Sequence, residues 1–119
     1  MSLEKEIKAS ATSISNASAA YNATIQGLAE ANGLAYVDAR AELNAVANGG
    51  ISFDGGTITS VFATGGAFSL DGVHPTPRGY AFTANAIIDA INSTYNATVP
   101  KVNIGSYSTV NLSNSVGGN

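Results

Sequence analysis

The sequence predicts a mixed α/β fold that contains more helix than strand. Two long segments, 3–32 and 76–96, carry apolar residues at spacings of three and four, which is typical of one face of a helix. A short apolar run at 34–37 follows the first of them and a glycine, which favours a buried parallel strand. Segment 51–59 contains a hairpin signal.

Length and composition limit the classes of function. The chain has 119 residues, of which 45% are hydrophobic and 11% charged, so one modest domain with a core is expected. Its net charge is −3 and its five basic residues are scattered, which disfavours nucleic-acid binding. No apolar run is long enough to predict a membrane span. The absence of cysteine excludes disulfides and thiolate zinc sites, and the abundance of Ala, Ser, Thr, Asn and Gly is typical of secreted or cell-envelope bacterial proteins.

The first helix is predicted over residues 3–32, after residues 1–3, which read as an expression leader. Ser and Ala dominate its first half, so a break at 13–16 is an alternative. Asn32 and Gly33 are predicted to end it, with the glycine just beyond the cap. Its apolar stripe comprises Ile7, Ile14, Tyr21, Ile25 and Leu28.

The predicted strand 34–37 ends at Asp38, which has two interpretations. The carboxyl edge of a parallel sheet is where α/β sites gather, so Asp38 is a candidate site residue. An N-cap for the helix predicted over 39–47 is the favoured interpretation.

Residues 51–68 are predicted to form a β-hairpin insertion. Two short β-prone runs flank Asp54 and the two glycines that follow it, so Asp54 is interpreted as a turn residue. The insertion either shapes an acyl or leaving-group pocket or decorates the surface, and surface decoration is slightly favoured.

The chemistry-bearing stretch lies between residues 69 and 80 and contains His74, the single histidine. Imidazole is the side chain best suited to take a proton from a serine hydroxyl near neutral pH, and a carboxylate commonly orients it. Asp71 precedes His74 by three residues, and Gly72 permits the tight turn that would bring them together. The spacing alone leaves two interpretations open: a structural histidine near a helix start, which is favoured, or a general base with Asp71 as its partner.

The second long helix is predicted to start at Thr76, an N-cap, followed by Pro77 as the first helical residue. Arg78 has three interpretations: a partner for Asp71, a partner for a substrate carboxylate, or, by default, an exposed arginine. The tail 101–119 is predicted to dock as an extended arm, and its last five or six residues are predicted to be disordered. The predicted buried face of the helix comprises Tyr80, Ala84, Ile87, Ile88, Ile91 and Tyr95.

One segment comprises Asp71 to Thr76, followed by Gly79, Tyr80 and a long Ala/Ile-rich helix. It closely resembles the C-terminal block of the SGNH, or GDSL, esterase/lipase family. Residues 17–97 share the helix–strand–block order of those enzymes. The resemblance implies that residues 4–100 are the C-terminal part of a flavodoxin-like three-layer domain. It also implies that Asp71 and His74 complete a Ser-His-Asp triad, with His74 as the general base and Asp71 as its orienting partner.

The nucleophile and oxyanion-hole motifs of that family are missing. The sequence contains no Gly-Asp-Ser, no Gly-x-Asn-Asp and no Gly-x-Ser-x-Gly elbow. We therefore expect a fragment that is inactive alone, with an incomplete flavodoxin-like fold. It should either require the missing N-terminal half of the domain or form a homo-oligomer through exposed helix faces.

The resulting functional prediction is a serine ester hydrolase acting on a lipid acyl or a carbohydrate acetyl ester, without a cofactor. One alternative is a non-catalytic surface or binding module with a degenerate form of the same fold. A second alternative, weakened by the single histidine, is a metal site built from Asp71, His74 and another carboxylate.

Overall fold

A computed structural model describes residues 2–111, and within that range the fold is mixed α/β and rich in helix. The predicted disorder at the end of the tail, like Met1 of the predicted leader, lies outside the described residues. The elements are α1 (Leu3–Ala31), α2 (Ala39–Ala47), β1 (Ile51–Phe53), β2 (Gly56–Ile58), α3 (Pro77–Tyr95) and a 3-10 turn (Ile104–Ser106).

The chain divides into two compact units, Met1–Tyr36 and Val37–Asn119. The first unit consists mainly of α1, which runs through residues 13–16 without a break. Apart from Ala29, its residues are exposed or half-buried. The stripe predicted from the sequence, together with Leu3, is between 55% and 72% exposed.

Helix α1 ends in the way its sequence predicts. Gly33 adopts a φ of 62° and donates its N–H to the carbonyl of Glu30 at 3.2 Å. The N–H of Leu34 reaches back to the carbonyl of Ala29 at 2.8 Å. This pair of bonds is a Schellman motif, which satisfies carbonyls that the helix itself leaves without partners.

The predicted strand at 34–37 is wrong for the described chain. Residues 34–38 belong to no strand, and within residues 2–111 the sheet consists of β1 and β2 alone. A parallel strand requires a neighbour joined through a crossover, whereas both observed strands belong to one hairpin and pair with each other.

The core of the second unit is small and includes the hairpin. Val46 of α2, Ile58 of β2 and Ala67 are almost fully buried and in contact. Ile51 faces Ile58 across the hairpin, so their side chains share one side of the sheet. The surface-decoration interpretation of this segment is therefore wrong, because its central isoleucine is the most buried side chain described.

The hairpin turn lies where the sequence predicts it but is one residue shorter. The sequence predicts a connection of Asp54, Gly55 and Gly56, whereas Phe53 pairs with Gly56, so Asp54 and Gly55 alone make the reversal. Gly55 has a φ of 104°, a conformation in which L-residues are strained. Asp54 is thus a turn residue.

Helix α3 starts and stops as predicted. Thr76 is its N-cap and accepts the N–H of Gly79 at 3.1 Å, and Pro77 occupies the first helical position. Asn96 ends the helix in the left-handed conformation, with a φ of 50°.

The buried face of α3 is only partly the predicted one. Ala84, Ile88 and Ile91 are half-buried, but the buried positions are Gly79, Ala81 and Asn85. The predicted core residues Tyr80, Ile87 and Tyr95 are about half exposed, at 57%, 46% and 52%. The cause is close approach: a Cβ at position 79 would overlap the carbonyl oxygen of Ala67. Gly79, which has no side chain, therefore lies against the segment that contains Ala67, and the neighbouring Tyr80 is left about half exposed.

The tail docks along α3 through side-chain amides. Asn92 donates to the carbonyl of Val99 and accepts its N–H, at 2.9 and 2.8 Å. Asn85 makes the same pair of bonds with Val102, both at 2.9 Å. The described part of the tail therefore runs back along α3 as the sequence predicts, but the extended form is interrupted by the 3-10 turn at Ile104–Ser106.

Arg78 completes the attachment of the tail. Its Nε and its backbone N–H donate to the carbonyls of Tyr107 and Ser108, at 3.0 and 3.1 Å. Its guanidinium lies 5.5 Å from the centroid of the Phe53 ring, within the range of a cation–π contact. The default interpretation of an exposed arginine is wrong, and its contacts are with the tail and the hairpin.

Candidate functional site

The predicted site lies in a loop whose two ends are hydrogen-bonded to each other. Phe68 and Pro75 form an isolated antiparallel bridge. Inside it, the N–H of Ser69 donates to the carbonyl of His74 at 2.8 Å. Residues 69–74 thus form a short closed loop of fixed width.

Thr76 ties this loop to the first turn of α3. The residue is 3% exposed, and its hydroxyl donates to the carbonyl of Gly66 at 2.6 Å while accepting the N–H of Gly79. Its backbone N–H bonds the carbonyl of Ala67 at 3.0 Å. One buried side chain therefore joins the approach to the loop, its exit and the helix.

The turn at Gly72 brings the acid back onto the imidazole. Gly72 has a φ of 68° and donates its N–H to the carbonyl of Ser69 at 3.0 Å. The reversal places Oδ2 of Asp71 at 2.5 Å from Nδ1 of His74. The contact that the sequence predicts between these two side chains is present.

The other carboxyl oxygen of Asp71 accepts three hydrogen bonds. Oδ1 is bonded by the hydroxyl of Ser69 at 2.7 Å and by the backbone N–H groups of Val73 and His74, both at 2.9 Å. The Ser69 hydroxyl, the Val73 N–H, and the ring and backbone of His74 hold the pKa of Asp71 well below its usual range. All of these donors favour the charged form, so the carboxyl group is ionised at neutral pH.

The ionised carboxylate determines which ring nitrogen carries the proton. A carboxylate only accepts hydrogen bonds, so Nδ1 of His74 must be the donor in this contact. In the neutral ring, Nε2 then has a free lone pair. No described residue bonds Nε2, and the His74 side chain is 74% exposed. The arrangement therefore presents a proton-accepting nitrogen to solvent.

An apolar cavity of about 270 Å³ lies beside this loop, within the second unit. Val73 and Pro75, which flank His74 in the chain, contribute to its wall together with Phe68 of the bridge. Asp71 and His74 themselves do not line it. The helices α2 and α3 supply most of the remaining wall, through Ala39, Glu42, Leu43, Val46, Gly79, Phe82, Thr83 and Ala86.

The other candidate acid is not at this site. Oδ1 of Asp38 accepts the N–H of Ala41 at 2.9 Å, so Asp38 caps α2 as favoured. Within residues 2–111, no group of three or more His, Cys, Asp or Glu side chains is arranged to hold a metal ion. No helix in that range has the combined length and apolar character needed to cross a bilayer.

The hydrogen bond from Ser69 to Asp71 is a part of the site that was not predicted from the sequence. The Ser69 hydroxyl makes one of the shorter hydrogen bonds at the site, at 2.7 Å. A local signal existed, because Ser and Asp side chains commonly bond within two residues of each other in turns.

Comparison with known proteins found no matching family model, no matching curated protein and no matching solved structure.

Proposed function

We propose that this chain supplies the acid–base part of a Ser-His-Asp site that hydrolyses carboxylic esters. The observation that carries the proposal is the contact between Asp71 and Nδ1 of His74, with Nε2 open to solvent. In this proposal Nε2 takes the proton from a serine hydroxyl as the oxygen attacks the ester carbonyl. The same proton then passes to the departing alcohol.

Asp71 has two roles in this mechanism. It fixes the tautomer of the ring, so that the basic nitrogen faces outward. Its negative charge also stabilises the imidazolium that exists between the two proton transfers. The donors on Oδ1 favour the ionised carboxylate, which keeps the transferred proton on the ring.

The nucleophile and the oxyanion donors belong, in this proposal, to a part of the protein outside these residues. The corresponding fold is a flavodoxin-like three-layer domain completed by that part. The substrate is an ester of a lipid acyl group or of a carbohydrate acetyl group, and the chain alone is inactive.

The test uses the natural protein that carries this sequence, assayed on short-chain p-nitrophenyl esters. Asp71→Asn should lower kcat by about 10⁴-fold, the effect known for a triad that loses its carboxylate. His74→Ala should lower it at least as far. Asp54→Asn is the matched control, because it removes an exposed carboxylate in the hairpin turn. Unchanged turnover in His74→Ala would remove the histidine from the mechanism.

The competing function is a non-catalytic binding module with a degenerate form of the same fold. A fluorophosphonate probe separates the two, because it reacts covalently with an activated serine. Labelling of the natural protein that disappears in His74→Ala supports the enzyme. Absence of labelling in the wild type supports the module.

A further inference from the structure

We propose that Ser69 is a positioning residue whose hydroxyl fixes the rotation of the Asp71 carboxyl group, so that Oδ2 stays directed at Nδ1 of His74. This role deepens the proposed function and rests on it for any effect on catalysis. The orientation of the carboxyl group itself depends on the three hydrogen bonds to Oδ1 of Asp71, and it can be tested without an activity assay.

The distribution of hydrogen bonds over the carboxyl group supports this role. Among the described residues, Oδ1 receives three donors, whereas Oδ2 faces only the ring of His74. Two of the three come from backbone N–H groups on the C-terminal side of Asp71, those of Val73 and His74. Ser69 is the donor from the N-terminal side. The carboxyl group is therefore held from both directions, and rotation about its terminal bond breaks bonds on Oδ1.

Ser69 is itself fixed relative to the imidazole. Its backbone N–H bonds the carbonyl of His74, and its own carbonyl accepts the N–H of Gly72. These backbone bonds do not depend on the side chain, so replacing the hydroxyl removes one contact and leaves the loop closed. The hydroxyl bond to Asp71 measures 2.7 Å, which is typical of a hydrogen bond to an ionised acceptor.

The test reads the tautomer of His74 in the natural protein that carries this sequence, by long-range ¹H–¹⁵N correlation at a pH where the ring is neutral. The wild type should show mainly the Nδ1–H form. Ser69→Ala should lower the ratio of Nδ1–H to Nε2–H by about twofold to tenfold, the factor that one hydrogen bond of ordinary net strength gives. Ser69→Thr keeps the hydroxyl and should restore the ratio. Ser60→Ala, at an exposed position, serves as the control.

Two results would overturn the role of Ser69. A wild-type ratio in Ser69→Ala shows that the backbone donors suffice. An equal change in Ser69→Ala and Ser69→Thr ascribes the effect to packing rather than to the hydroxyl.

Kinetics in the natural protein separate this inference from the ester-hydrolase proposal. Ser69→Ala should lower kcat without raising KM, and Ser69→Thr should recover kcat. If no esterase activity exists but the tautomer ratio shifts as stated, the positioning of Asp71 stands and the proposed hydrolysis falls. If His74-dependent activity exists but Ser69→Ala changes neither kcat nor the ratio, the positioning role falls.

Discussion

Helices α1 and α3 have similar sequence patterns but different surroundings. Each carries apolar residues at helical spacing and one internal glycine. In α3 the glycine lies against the carbonyl of Ala67, and two asparagines bond the backbone of the tail. In α1 a side chain at Gly27 would meet no atom within 4 Å, and the apolar stripe is exposed. The spacing of apolar residues therefore predicts that a helix forms, whereas the segments packed against the helix determine which of its residues are buried.

The largest expected effect concerns two isoleucines. Ile58→Ala empties the most buried position of the second unit and should lower the free energy of unfolding by about 2–5 kcal/mol. Ile14→Ala, at a position 70% exposed, should change it by less than about 0.5 kcal/mol. Urea titrations followed by circular dichroism measure both. A loss in Ile14→Ala as large as that in Ile58→Ala would show that the α1 stripe is covered in solution.

Smaller changes in the free energy of unfolding, opposite in sign to each other, are expected when the two helical glycines are replaced by alanine. Gly79→Ala forces a Cβ into the carbonyl of Ala67 and should destabilise the protein by about 1–3 kcal/mol. Gly27→Ala should stabilise it by about 0.5–1 kcal/mol, because alanine restricts the unfolded chain and has room in the helix. Thermal unfolding of both variants gives the signs. Destabilisation by Gly27→Ala would contradict the open surroundings of α1.

The smallest expected effect is a pH dependence of stability, and it concerns Asp71 of the second unit. The pKa of Asp71 is lower in the folded chain than its ordinary value of 3.8. Ionised Asp71 therefore stabilises the fold above that value, and the stabilisation is lost as pH falls below it. Melting temperatures measured from about pH 7 down to about pH 2 should show the wild type losing its advantage over Asp71→Asn.

The matched control variant is Asp54→Asn, which removes a carboxylate that is exposed in the hairpin turn. A gap between the wild type and Asp71→Asn that stays constant over the whole pH range would mean that the hydrogen bonds to Asp71 do not favour its ionised form.

Features encoded by adjacent residues were predictable from the sequence. Thr76 and Pro77 define the start of α3, and Gly33 defines the end of α1, because caps depend on local backbone geometry. The contact between Asp71 and His74 belongs to the same class, since a single turn at Gly72 brings them together.

Features that depend on distant parts of the chain were not predictable. The asparagine contacts join Asn85 to Val102, seventeen positions away, and no local pattern marks them. The exposure of Tyr80 was missed because Gly79 faces the neighbouring backbone instead. The strand predicted at 34–37 was wrong because an apolar run does not state whether a partner strand is available.

The closed loop between Phe68 and Pro75 has a consequence for design. In the part of the chain that the structure describes, every hydrogen bond to the carboxyl group of Asp71 comes from residues 69–74, and Thr76 anchors the loop. The Asp71 carboxylate and the His74 imidazole are thus encoded in one contiguous cassette of about a dozen residues. Grafted between a strand end and a helix start of an unrelated scaffold, such a cassette would carry an oriented imidazole with it.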